Sequence, residues 1–314
     1  MSSTLVATDS GKHSPSRLSG PIVASVGEDG SHVLLAAAAL APLTRDGLHV
    51  FSAIEPLPAE TAARNASVMA ASLMEVSDVR RESRVEQLNT RLAEVRAAEH
   101  RWQLEVEHGE PANALLRRTR ELGAALIVIG MGRQRLDGAP VGDEMALHVT
   151  RRAGCPVLAV GGQFEHLPRE VVIATDFSAQ SMHAARAALP LLDRGATLHI
   201  VHAWLSNAAS DPSIAKVEEV YARSITARLV RFVAELPTPP GVLVRMAVCV
   251  GRSASEIIAY ARRHNADLIV VARQGVNTIT RFFVGSVTTS LLRAASCSVL
   301  VAPEQQFDAV PVAP

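Results

Sequence analysis

Two short segments carry the residue types best suited to chemistry. The first is Ala174-Thr175-Asp176-Phe177-Ser178, a run of small residues leading to a carboxylate. The second starts at Ala272, continues through Arg273-Gln274-Gly275, and after nine more residues reaches Gly285-Ser286-Val287-Thr288. Together they read as an anion cradle. Gly275 and Gly285 lack a Cβ, so backbone N–H groups can approach phosphate oxygens closely. Ser286 and Thr288 open a helical stretch, Thr289–Ala295, whose N-terminal N–H groups and dipole favour an anion. Their hydroxyls can donate as well. Asp176 can accept from ribose hydroxyls or help hold a divalent ion. The plain alternative is that Asp176, Ser178 and Ser286 only cap helices. Position favours a site, because both segments follow strand-like runs.

Those runs belong to a repeat. Ala124–Gly130 and Ala266–Ala272 match at an offset of 142 residues, as do Cys155–Val160 and Cys297–Ala302, and Gly109 and Gly251. Ile22–Val26 and Val171–Thr175 match at 149. The seven-residue difference belongs in the long helical stretch after the second strand of copy 1. Strands are predicted at 21–26, 47–54, 102–107, 125–130 and 156–160. In copy 2 they are predicted at 170–175, 196–204, 242–249, 267–272 and 298–302. These are short Val-, Ile- and Leu-rich runs, typical of strands buried on both faces. Helical stretches rich in Ala, Leu, Arg and Glu lie between them. The α/β alternation predicts a parallel sheet with right-handed crossovers and ligands at the strands' carboxyl ends.

The domains therefore run over 20–162 and 169–304, joined by a short linker with Gly and Pro. Residues 1–19 and 305–314 read as disordered ends. Leu5-Val6-Ala7-Thr8-Asp9 echoes the first-strand motif of copy 2. It lies too close to Pro21 for a crossover helix. It reads as a decoy or, at most, an extra edge strand.

Copy 1 departs from copy 2 where the chemistry should be. Gly27 stands in place of Asp176. After its fourth strand, one alignment keeps nine residues between Gly132 and Gly142. The ungapped alignment instead puts Arg133 and Asp143 where copy 2 has its two glycines. Either way Asp143 or Glu144 replaces Ser286. A carboxylate there complements the helix dipole and takes the phosphate's place. A like charge about 4 Å away costs about 1 kcal/mol in water and about 4 kcal/mol at an effective dielectric near 20. Unless Arg133 or Arg135 compensates, copy 1 is a structural partner that binds no triphosphate.

With these residues in place, copy 2 resembles the universal stress protein family. The resemblance rests on Gly275, nine residues, then Gly285-Ser286; on Asp176 closing the first strand; and on Cys297-Ser298-Val299-Leu300-Val301. It covers nearly the whole chain. It implies two tandem five-stranded, Rossmann-like parallel sheets with strand order 3-2-1-4-5. It also implies an adenine nucleotide, ATP, usually with Mg2+. By that resemblance Asp176 faces the ribose, with Ala174 and Thr175 before it in the cofactor-binding set, and Val201 and His202 lie by the adenine. Ala272 and Gly275 border ribose and phosphates, while Gly285, Ser286, Val287 and Thr288 take the phosphates. Ala272 departs from the family motif, which has glycine there. The resemblance further implies pairing through the last strand of each copy, giving an internal pseudo-dimer.

Composition excludes other classes. Thirty-one basic residues balance thirty-one acidic ones, and aromatics are 4%. That argues against nucleic acid and anionic membranes as partners. The longest apolar run, Val33–Leu43, is too short to span a bilayer, and no signal-peptide layout is present. Cys155, Cys249 and Cys297 follow no metal or disulfide spacing and read as free thiols in a reducing cytoplasm. No P-loop, HExxH or GxSxG motif occurs, and no catalytic or metal-ligating set is predicted. His199 and His202 should face opposite sides of a strand. Three functions fit: a regulatory nucleotide binder read by a protein partner the sequence does not name, a slow ATP hydrolase using water and Asp176, and a nucleotide-free interaction module.

Overall fold

The computed structural model describes residues 4–6, 18–27, 30–55, 67–95, 102–131, 134–136, 139–141, 143–162, 164–206, 215–274 and 284–304. An N-terminal strand, β1 (Thr4–Val6), precedes the first copy. That copy comprises β2 (Ile22–Ser25), α1 (Ser31–Leu40), β3 (Leu48–Ile54), α2 (Ser67–Glu94), β4 (Trp102–His108), α3 (Pro111–Glu121) and β5 (Leu126–Gly130), then β6 (Gln134–Leu136), β7 (Ala139–Val141), α4 (Asp143–Arg152) and β8 (Val157–Val160). The second comprises β9 (Glu170–Ala174), α5 (Ala179–Ala188), β10 (Thr197–Trp204), α6 (Ala215–Glu235), β11 (Leu243–Val250), α7 (Ser253–Arg263), β12 (Leu268–Ala272), α8 (Ser286–Ala294) and β13 (Ser298–Ala302). The ten strands predicted from the repeat all form, each within one residue at either end.

Their composition explains why. β2, β12 and β13 are buried along their whole length, which suits runs that are apolar but for a terminal serine in β2 and β13. The helices bury one stripe each. In α7 it is Ile257, Tyr260 and Ala261, three and four residues apart.

The strands order as β1-β11-β10-β9-β12-β13-β8-β5-β2-β3-β4. Each copy thus has the internal order 3-2-1-4-5. The expectation of two sheets needs one correction. β13 and β8 pair antiparallel, with Leu300 opposite Leu158, so the copies share one continuous sheet. An exposed apolar edge invites strand addition, and joining the two last strands removes both edges. One hydrophobic cluster on each face runs through both copies, so the core is common.

The length difference sits where the repeat placed it. Leu48 and Leu198 are equivalent by their pairing, as are Trp102 and Val244. The excess therefore lies between the second and third strands, where α2 has 28 residues and α6 has 21.

At the N-terminus the structure takes the second of the two readings, an extra edge strand rather than a decoy. Thr4–Val6 pairs antiparallel with β11 as an eleventh strand. Leu18 forms a bridge with Thr44. Among the described residues, no helix is long and apolar enough to cross a membrane.

Candidate functional site

β9 and β12 are direct parallel neighbours, so their carboxyl ends open on one crevice. At the end of β9, the Thr175 N–H donates to the Val201 carbonyl at 2.9 Å. Phe177 follows with a left-handed backbone, φ 65°. The turn tolerates this because the Phe177 N–H donates to Thr175 Oγ1 at 2.9 Å. Ser178 is the N-cap of α5, accepting from the Ser181 N–H at 3.1 Å. Asp176 is not the cap. Its Oδ1 accepts from the Ser178 N–H at 3.0 Å and from the Ser178 hydroxyl. The carboxylate is thereby held, half-buried, at the mouth of the crevice.

Val201 is fully buried on the face covered by α7, so it offers the crevice backbone only. The predicted split of the histidines holds. His199 meets Tyr260 of α7 at 3.0 Å, and His202 meets Tyr221 of α6 at 3.2 Å. His202 Nδ1 lies 2.8 Å from the Thr175 carbonyl. A carbonyl only accepts, so Nδ1 carries the proton and Nε2 takes the Tyr221 hydroxyl. Burial holds His202 below the ordinary histidine pKa, and Arg228 pushes the same way. The bond to Thr175 and the charge of Asp176 oppose them.

Around this histidine lies a cluster the sequence reading missed. The Phe177 ring sits 4.4 Å from the His202 ring, the Arg228 guanidinium 4.3 Å from the Phe177 ring, and Trp204 packs edge-on to Tyr221. Tyr221 and Arg228 are seven residues apart on α6, two turns along one face. That periodicity was the available signal.

Gly275 lies outside the described residues. The rest of the loop's far end is anchored to β12. The Gly285 N–H donates to the Arg273 carbonyl at 2.9 Å, and the Thr288 hydroxyl to the Ala272 carbonyl at 2.9 Å. Thr288 has therefore already used its hydroxyl proton and offers a ligand its backbone N–H. Gly285 is the N-cap of α8 and brings no side chain to cap it. Its φ of −57° is ordinary. A Cβ built there would meet nothing closer than the Arg273 carbonyl at 3.5 Å. The fold itself does not require glycine at 285.

The structure decides the alignment that the sequence left open. The Met131 and Arg273 N–H groups make equivalent bonds, to Val160 and Ala302, and the Ala153 and Ala295 N–H groups do likewise, to Val149 and Leu291. The offset is 142 on both sides of the loop, so the ungapped alignment holds. Asp143 stands at Gly285 and Glu144 at Ser286. Within that loop, copy 1 forms the β6–β7 hairpin, with Arg135 opposite Pro140.

Copy 1 is also filled where copy 2 has its aromatic cluster. Arg84 of α2 donates to the Val26 carbonyl at 2.9 Å and to Ser52 Oγ at 3.0 Å. Ser52 itself donates to the Val26 carbonyl at 2.9 Å. The role of His202 thus passes to a serine and a guanidinium. Gly130 is explained as well. A Cβ there would sit 2.8 Å from His32 Nε2. Copy 2 has the smaller Ser181 at the equivalent place, which makes room for Ala272.

Comparison with known proteins bears on the family and the fold. The model of the universal stress protein family matches residues 20–161 and again 168–303. The chain belongs to the universal stress protein family. A universal stress protein of Mycobacterium tuberculosis is 29% identical over 193 residues, covering 57% of this chain and 62% of that one. The match thus spans under two thirds of that relative's length. The crystal structure of a universal stress protein from Archaeoglobus fulgidus has a TM-score of 0.61 at 16% identity, covering 91% of this chain and 97% of that one. A functionally unknown protein from Pseudomonas aeruginosa gives 0.59 at 16% identity, covering 90% and 92%. At such identities the structural likeness concerns the fold. Among the described residues, no group of three or more His, Cys, Asp or Glu side chains could hold a metal ion.

Proposed function

We propose that this universal stress protein is a stress-response regulator that binds ATP in its second copy, while its first copy binds no nucleotide. The observation that carries this reading is Gly285. It sits at the uncapped start of α8, with an ordinary φ, and a Cβ there would make only ordinary van der Waals contacts. Missing bulk that the fold does not need is reserved for something outside the chain. An anion at the N–H groups of Ser286, Val287 and Thr288 uses that space and the helix dipole. Asp176, on the neighbouring strand, suits a ribose or a Mg2+ ion. One carboxylate together with phosphate oxygens is how proteins commonly hold that ion. The acidic pair Asp143 and Glu144, and Arg84 across the strand ends, support the silence of copy 1.

Mass spectrometry of ligand released from freshly purified protein, with calorimetric titration of ATP-Mg2+, tests this directly. One nucleotide per chain is the expected stoichiometry. Two per chain would overturn the reading of copy 1, and binding that survives Gly285→Glu unchanged would overturn the site.

A further inference from the structure

The two equivalent outer edges of the sheet are protected in different ways. In the first copy the edge is β4. Its Glu105 pairs with Arg118 at 2.6 Å, and its Glu107 pairs with Arg117. Charges on an edge strand deter strand addition. In the second copy the counterpart is β11, Leu-Val-Arg-Met-Ala-Val-Cys-Val, with no acidic residue. Leu243 is 40% exposed and Val250 56%. This edge takes a strand instead: Thr4, Leu5 and Val6 lie antiparallel to it, opposite Met246, Arg245 and Val244.

The length of the chain bears on where that strand comes from. Eleven residues separate Val6 from Leu18, so the twelve steps reach at most about 40–43 Å. Leu18 is fixed in the first copy, donating to the Leu43 carbonyl at 2.9 Å beside Thr44. From β1 to β2 the sheet order has eight strand spacings, about 38 Å at roughly 4.8 Å each. Thr44 leads into β3, one strand further out. Pairing within one chain therefore uses nearly the whole contour of the connector and leaves no slack for a path over the helices. A taut connector forfeits the conformational freedom of its residues.

We propose that the seat on β11 is filled by the N-terminal strand of a second copy of this chain. The exchange is reciprocal, so two chains close as a two-fold pair with both apolar edges covered. The proposal is independent of nucleotide binding.

Two full-length chains, one carrying Leu5→Cys and the other Arg245→Cys, test it when co-expressed and mildly oxidised. Neither chain can make this link alone. The expected product is a species of twice the chain mass on a non-reducing gel, with mass spectrometry joining the peptides around positions 5 and 245. Absence of that link overturns the exchange. So does a doubly substituted chain that links only within itself. Light scattering on chains without new cysteines is a second readout. The full chain should have twice the mass of a chain lacking residues 1–10. A monomeric full chain, or a dimer that survives the truncation, overturns the proposal.

Discussion

At the scale of the residue, Gly285 separates the demands of the fold from those of a ligand. Gly285→Ala keeps an allowed φ and meets only ordinary contacts. Stability is expected to stay within about 1 kcal/mol of the parent, because the unfolded chain also loses freedom. ATP affinity is expected to fall at least about tenfold. Thermal melts and titration calorimetry on the same sample read both. A glycine needed only for backbone strain would give the reverse result. Histidine protonation offers a second test. His49, His183, His202 and His264 are all held below the ordinary histidine pKa, chiefly by burial. A group whose folded pKa is depressed in this way stabilises fully above pH 6.5, its unfolded value, and loses that contribution as pH falls below it. The melting temperature should therefore drop on acidification from pH 7 to pH 5. His202→Gln should flatten that slope, and an unchanged slope would remove His202 from the account.

Helix α2 shows at the scale of the element how a repeat can lapse. Its seven extra residues relative to α6 lie between the second and third strands, and its arginines turn down onto strand ends. Arg81 reaches the Val106 carbonyl at 3.1 Å, and Arg84 reaches Val26 and Ser52. These are partly buried, charge-assisted bonds, of order 1–2 kcal/mol each after desolvation. Arg84→Ala is expected to destabilise by about 1 kcal/mol in urea unfolding, since Ser52 still serves the Val26 carbonyl. It should not create nucleotide binding, because Asp143 and Glu144 still occupy the helix start. A second calorimetric site in that variant would show that Arg84 alone had closed copy 1.

The whole molecule behaves as one unit because the copies share a sheet and both cores. Arg273 adds a polar tie. It follows β12, yet its guanidinium donates to the Arg151 and Ala153 carbonyls at the end of α4, at 3.3 and 3.1 Å. Its own backbone carbonyl holds Gly285. The start of the candidate phosphate loop is thereby fastened to the other copy. Removing the side chain leaves two carbonyls without that donor, so Arg273→Ala should cost about 2 kcal/mol. Arg273→Met fills the space with the residue copy 1 uses at the equivalent Met131, and should cost less. Scanning calorimetry checks both. A single transition is expected in the parent, and a split transition in Arg273→Ala would show how much of the coupling this one side chain carries.

Periodicity and composition alone were enough for the repeat, the ten strands and the placement of Asp176 just after a strand and of Gly285 at a helix start. The largely apolar runs in β2, β5, β9 and β12 are four or five residues long, which suits strands buried on both faces better than helices. The face taken by His202 was legible too, since side chains alternate along a strand. What the sequence could not decide rests on contacts distant in the chain. The two alignments of copy 1 were equal until the bonds of Met131 and Arg273 to their neighbouring strands set the offset. Thr288 read as a phosphate donor until its proton was found on Ala272. Arg84 lies 58 residues from the carbonyl it serves, and Arg273 120 residues from one of its two. Local patterns report which face of an element is buried, whereas a polar group's partner depends on which elements the fold brings side by side.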